Sequence, residues 1–328
     1  MSEGSDFDEE EMAAEEEEKQ EGGEGEAEEE EKLPENSLTQ DMIPECLSLL
    51  CKIGNGLAHA YVRLDAHERE LTDIELLKNF IHVRYVDVSG NLLKDLSPLN
   101  NLTHLLSLQA NKNNLATAKL DSLPYLQIAD FSGNKITTTE GIEHPMLTKL
   151  SLNSNLITEI SSLSPKTLSN LHTLELRGNK LESTRGFYLP NLKNLYLAGN
   201  LLKQVEDLDK LESLTTLHLR DNQIDKLDGF PPSLKKLQYI NFRGNNITDL
   251  KEITKLVNLP FLRALVMNDN PCLEEDGYRI EILIILRRLE RLDKEEYSEE
   301  ERAEAEDIYE QRRQEELMKG EEGENEDD

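Results

Sequence analysis

The sequence predicts an α/β solenoid of short coils, with a helical cap at each end and acidic tails beyond the caps. Three observations predict it: one apolar frame recurring every 21–25 residues, an Asn at a fixed place in that frame, and acidic runs confined to the chain ends. Leu171–Leu181, LHTLELRGNKL, shows the frame, with leucines at offsets 1, 4, 6 and 11 and Asn179 at offset 9. Leu174 and Leu176 alternate on a short strand and point to one side, while Leu171 and Leu181 close the turns around them. Asn179 is then expected to satisfy backbone groups that a tight turn buries between neighbouring coils. A single coil cannot bury its own apolar face, so coils must stack.

The Asn position falls at Asn91, Asn113, Asn134, Asn155, Asn179, Asn200, Asn222, Asn245 and Asn270, in steps of 22, 21, 21, 24, 21, 22, 23 and 25 residues. That is the leucine-rich repeat signature. Steps this short hold one strand and a brief helical or extended return. Each coil should bury four or five large apolar side chains, worth about 1.5–3 kcal/mol apiece. Prolines such as Pro98, Pro124, Pro145, Pro165 and Pro190 fall outside the strand cores, where they shape loops without removing a ladder donor.

The net charge of −31 is uneven: residues 1–32 carry 17 acidic and 2 basic side chains, residues 315–328 carry 8 and 1, and the body between them is only mildly acidic. Residues 1–34 are nearly free of large apolar side chains and are expected to be a disordered acidic tail, with a second tail at 319–328. Cys46, Cys51 and Cys272 have no metal-like spacing and read as reduced thiols of a cytoplasmic protein. No apolar run approaches a membrane span.

Within these limits the chain divides as follows. Residues 35–60 are an N-terminal helical cap, because Leu47, Leu50 and Cys51 would share one face of a helix over 38–52 that Gly54-Asn55-Gly56 ends. Tyr61, Leu64, Ala66 and Leu71 form a degenerate first coil with Arg69 at the Asn position, so the solenoid spans 61–270. A stripe of Ile282, Ile285, Leu286 and Leu289 makes 271–297 the C-terminal cap. Residues 298–318 read as a charged helix opened by Glu299, Glu300 and Glu301 in favourable dipole positions. Its few apolar residues suggest that it projects or lies on a partner.

Together with the repeats, Asn270-Pro271, Tyr278-Arg279, Leu292-Asp293 and Glu301-Arg302 resemble the cap of the short, 22-residue leucine-rich repeat subclass. That subclass includes a phosphatase-1 regulator, a subunit of the U2 splicing particle and an axonemal dynein light chain. Those caps often carry Pro where this chain runs Leu286-Arg287-Arg288-Leu289. With its Glu-rich head and the coils SGNLLKDLSPLNNL and LYLAGNLLKQVEDL, the whole chain is similar to axonemal radial-spoke leucine-rich repeat proteins. The resemblance implies a structural subunit of motile cilia and sperm flagella, in the head region of the third spoke. It also implies other spoke proteins as partners and residence in the axoneme.

Catalysis is not expected. There is no Walker motif, no G-x-S-x-G and no His/Cys metal cluster, and Gly54-Asn55-Gly56 is no dinucleotide fingerprint. His67, His82, His104, His144 and His172 are expected on the surface. No cofactor, metal or small-molecule substrate is implied, and the acidic balance disfavours nucleic acid. A solenoid of this kind binds through its strand face, lined by offsets 3, 5 and 7. Early coils supply a mixed polar face there (Tyr85, Asp87, Asp130, Lys149). Later coils gather Arg177, Tyr196, His218, Arg220, Tyr239 and Arg243 on strands about 5 Å apart, an aromatic-basic patch suited to an acidic or helical protein segment. Two other roles fit a repeat scaffold: a phosphatase regulator, by subclass, and an acidic nuclear histone-binding protein, by its tails. Against the latter, the longer acidic run is N-terminal and no basic nuclear-import cluster is present.

Overall fold

The computed structural model describes residues 34–274 and 277–324. The expected N-terminal acidic tail lies outside them up to residue 33. Each coil contributes one three-residue strand, and the strands stack in chain order into a thirteen-stranded sheet. The middle residue of each strand points inward: Val86, Leu108, Leu150, Leu174, Leu195, Leu217 and Ile240 are all buried. From β2 (Ala58–Asp65) to β12 (Arg291–Leu292) the pairing is parallel. Among the described residues, only the end pairs, with β1 (Leu47–Ile53) and β13 (Glu295–Glu296), are antiparallel.

The asparagines do what their spacing predicts. Asn179 Nδ2 donates to Leu176 O and Arg177 O of its own coil and to Leu152 O of the coil before, at 3.1, 3.2 and 2.9 Å. Its Oδ1 accepts from Ile157 N–H at 3.1 Å. The same bonds recur at Asn91, Asn134, Asn200 and Asn245. The residue before each ladder Asn sits at positive φ, and at Gly244 (φ 65°) an added Cβ would meet the Asp221 carboxylate of the previous coil.

At both ends, side chains from outside the asparagine ladder satisfy backbone groups of the terminal coils. At the start, Asn36 lies across the first coil, donating to Arg69 O at 2.9 Å and Glu70 O at 3.2 Å. At the finish, Asp293, next to the Leu292 that pairs with Leu265, accepts from Met267 N–H at 2.6 Å and Asn268 N–H at 3.0 Å, closing the end of the last full coil's strand. Burial holds its carboxyl above the usual range despite these bonds.

The N-terminal cap differs from the expectation. Helix is limited to α1 (Ile43–Cys46), and residues 47–65 form the β1–β2 hairpin, with Leu47 opposite Leu64 and Ile53 opposite Ala58. The spacing of Leu47, Leu50 and Cys51 fits a short helix, but so short an apolar run fits a strand as well, and pairing with β2 decides it. The C-terminal cap is helical, with α2 (Tyr278–Ile285) burying Ile282, Leu283 and Ile284. The charged helix α3 (Glu299–Glu324) opens on a reciprocal capping box, with Ser298 N–H on Glu301 Oε2 and Glu301 N–H on Ser298 Oγ. It does not simply project: Ala305 is buried, and Arg312–Glu281 and Arg287–Glu306 ion pairs tie it to α2 and to the turn that follows α2. Its backbone stays helical to Glu324, past the expected end at 318. The cap motif forms one network, in which Arg279 bonds Leu292 O and Glu301, and Arg302 bonds Leu289 O.

A candidate binding face on the sheet

Because strand residues alternate, the two neighbours of each inward residue share the opposite side of the sheet. Register then decides which of them meet. Tyr196 and His218 are partners on β8 (Asn194–Tyr196) and β9 (Thr216–His218), and their rings stack at 4.7 Å. Tyr239, first residue of β10 (Tyr239–Asn241), reaches diagonally to His218, with centroids 5.0 Å apart. On the other flank the Arg177 guanidinium lies over the Tyr196 ring at 4.4 Å, a cation–π contact. The sheet thus brings four of the six expected patch residues into one ladder: Arg177, Tyr196, His218, Tyr239.

This ladder is buried rather than exposed, with less than a tenth of each residue open to solvent. Burial, aided by the Arg177 charge, pushes the His218 imidazole down to about 3, so it stacks as a neutral ring. The other two expected residues flank the ladder and carry acidic neighbours: Arg220 Nε bonds Asp221 and Arg243 Nε bonds Asp269, both at 2.8 Å. Arg243 keeps 44% of its side chain open and Arg220 keeps 19%.

Beside Arg177, the mixed polar face that the sequence predicts through Lys149 closes into one hydrogen-bonded cluster, a linkage the sequence reading did not make. Glu175 is buried and accepts from Ser151 Oγ (2.8 Å) and Asn153 Nδ2 (3.1 Å), with Lys149 Nζ at 2.7 Å. Burial raises its carboxyl, but Lys149, Arg177 and Ser151 together hold it below the usual range. All these residues lie at face offsets, so the frame could have found them. His144 is a correction: expected on the surface, it is fully buried, accepts from Leu123 N–H at 3.2 Å, and is pushed down to about 4 by burial. Aligning EHPML with SLPYL, YLPNL and NLPFL would have revealed it, since His144 takes the place of an inward Leu. Asp65, His67 and Asp87 also converge, with potential ligand atoms within 4.8 Å of one another. There the Asp87 carboxylate already accepts from Ser89, the same turn that Asp130 makes with Ser132. Among the described residues no helix is long and apolar enough to cross a membrane.

One strand per coil, an inward apolar residue on each, most often leucine, and an asparagine ladder between coils define a leucine-rich repeat protein. A profile described as "Leucine-rich repeat" matches residues 194–321, and another, "Leucine Rich repeats (2 copies)", matches 169–211. Among solved structures, an internalin from Listeria monocytogenes is similar at TM-score 0.52 and 26% identity, over 68% of this chain and 64% of that one. TLR13 in its complex with ssRNA13 shares the fold at TM-score 0.53 and 22% identity, over 69% of this chain and 37% of that one. Leucine-rich repeat-containing protein 23 of Bos taurus is 60% identical over 83% of this chain and 79% of its own length. The Homo sapiens protein of that name is 60% identical over 85% and 81%, and the Mus musculus protein 56% identical over 87% and 84%. The chain belongs to the leucine-rich repeat-containing protein 23 family.

Proposed function

We propose that this chain is a non-enzymatic structural subunit of the radial spoke of motile cilia and sperm flagella, in the head region of the third spoke. There it would support motility through protein–protein contacts and reside in the axoneme. The observation that carries the reading is family membership over more than four-fifths of the chain; the spoke role itself is what the resemblance of the sequence implies. The face supports a binding role. The ladder from Arg177 to Tyr239 is a preorganised floor, and Arg220 and Arg243 stand beside it, the residue types that anchor protein interfaces. An acidic or helical segment of a neighbouring spoke protein fits this surface.

Fractionation of demembranated cilia or sperm flagella tests the reading. Retention of the chain on the axoneme through detergent and moderate salt is the expected result, and crosslinking then names its neighbours. Release into the soluble fraction, or recovery with nuclei or a phosphatase, would overturn the spoke assignment and leave the repeat scaffold standing.

A further inference from the structure

The two edges of the sheet are finished in opposite ways. At the C-terminal edge β13 is two residues long, both are exposed glutamates, and the chain passes from there into α3. Short, charged strands keep a sheet edge from pairing. At the other edge β1 runs seven residues, LSLLCKI, with one charge and no proline; its register with β2 is unbroken on either side of Leu49, which sits at φ 60° and is itself not paired. Among the described residues no strand lies on its outer side, so alternate N–H and C=O groups there lack a ladder partner. The side chains around it are apolar and open: Leu50 is 58% exposed and Leu57 85%, with Leu49 and Tyr61 beside them. Residues 46–64 also contain no Asp or Glu, in a chain that has 67 among 328 residues.

We propose that β1 is a self-pairing edge, to which a second copy of this chain adds its own β1 antiparallel about a two-fold axis at Leu50. A two-fold axis opposes each residue to its mirror position along the strand. Leu50 then faces Leu50 of the second copy, Ser48 faces Lys52, Leu49 faces Cys51 and Leu47 faces Ile53. The only charge on the strand meets a serine, so no like charges are opposed. A second copy fits better than an acidic partner segment because the edge offers a single lysine to attract one. Two strongly acidic chains, by contrast, can meet along an acid-free stretch without setting carboxylate against carboxylate. Seven paired residues extend about 24 Å and make a contact below roughly 1,200 Å², the size of a weak, reversible interface. The pairing is independent of where the chain resides in the cell.

Sedimentation equilibrium of the full chain tests this. The wild type should populate a dimer in the micromolar range, tightening several-fold as salt is raised, because salt screens repulsion between the acidic copies. Leu50→Glu and Leu50→Lys should each be monomeric with unchanged melting temperatures, since Leu50 lies at the surface. Mixing the two variants in equal amounts should restore a dimer by pairing opposite charges across the axis. A wild type that stays monomeric at every concentration would overturn the proposal. So would a dimer that persists in Leu50→Glu, or a mixture no more associated than its components.

Discussion

The interior of the solenoid and the face it supports are built from the same strands but obey different rules. Inside, one chemical kind of residue recurs at one offset, apolar and most often leucine: Leu150, Leu174, Leu195 and Leu217 are interchangeable in position and burial. On the face, the residues one step away change from coil to coil, running from Lys149 and Glu175 to Tyr196, His218 and Tyr239. Repetition carries stability, because every coil must bury the same shape against its neighbours. Departure from repetition is what makes one stretch of the face unlike another, and the proposed contact rests on it.

Four experiments break or sharpen that contrast. Leu174→Ala should be the most damaging, since it opens a cavity in a fully packed coil. A loss of about 2–5 kcal/mol in chemical denaturation is expected, and an unchanged midpoint would refute the assigned frame. Asn179→Ala strands Ile157 N–H and Leu152 O between two coils and should cost about 1–3 kcal/mol, read in the same titration.

The third prediction concerns pH. His144 and His218 are held neutral, at about 4 and about 3, so the unfolded chain takes up protons that the folded chain refuses. Their contribution is complete above the ordinary histidine value near pH 6.5 and is lost as pH falls toward 4, with a slope of roughly 1.4 kcal/mol per pH unit for each group. Melting temperatures across this window should fall on acidification, and His144→Leu should flatten the slope. An unaltered slope would remove His144 as its source. The fourth substitution should barely touch stability: Arg220→Ala with Arg243→Ala is expected to shift the midpoint by under about 1 kcal/mol, because surface ion pairs are weak. A large shift would make these arginines part of the packing rather than of the contact surface.

Most of the fold was legible because each coil states the same pattern again. The ladder asparagines, the inward leucines and the face offsets all follow from the frame read at Leu171–Leu181. The ends were less legible for a physical reason: there the repeat stops and contacts come from residues distant in sequence. Leu47–Ile53 pairs with Ala58–Asp65, which no helical or repeat frame announces. Likewise, α3 docks through Arg287–Glu306 and Glu281–Arg312, pairs set by the fold rather than by helical spacing. At the face, the sequence identified which residues share a surface. It could not reveal that Tyr196, His218 and Tyr239 pack into a buried stack, which depends on register between coils.

The most direct test of the central claim, that the varied face holds this chain in its assembly, is rebinding to axonemes from which it has been extracted. Purified wild-type chain should rebind saturably. The Arg220→Ala, Arg243→Ala variant, with the same melting temperature, should rebind at least about tenfold more weakly, the loss of a hot-spot contact. Equal rebinding by the two proteins would contradict the claim and move the contact away from this face.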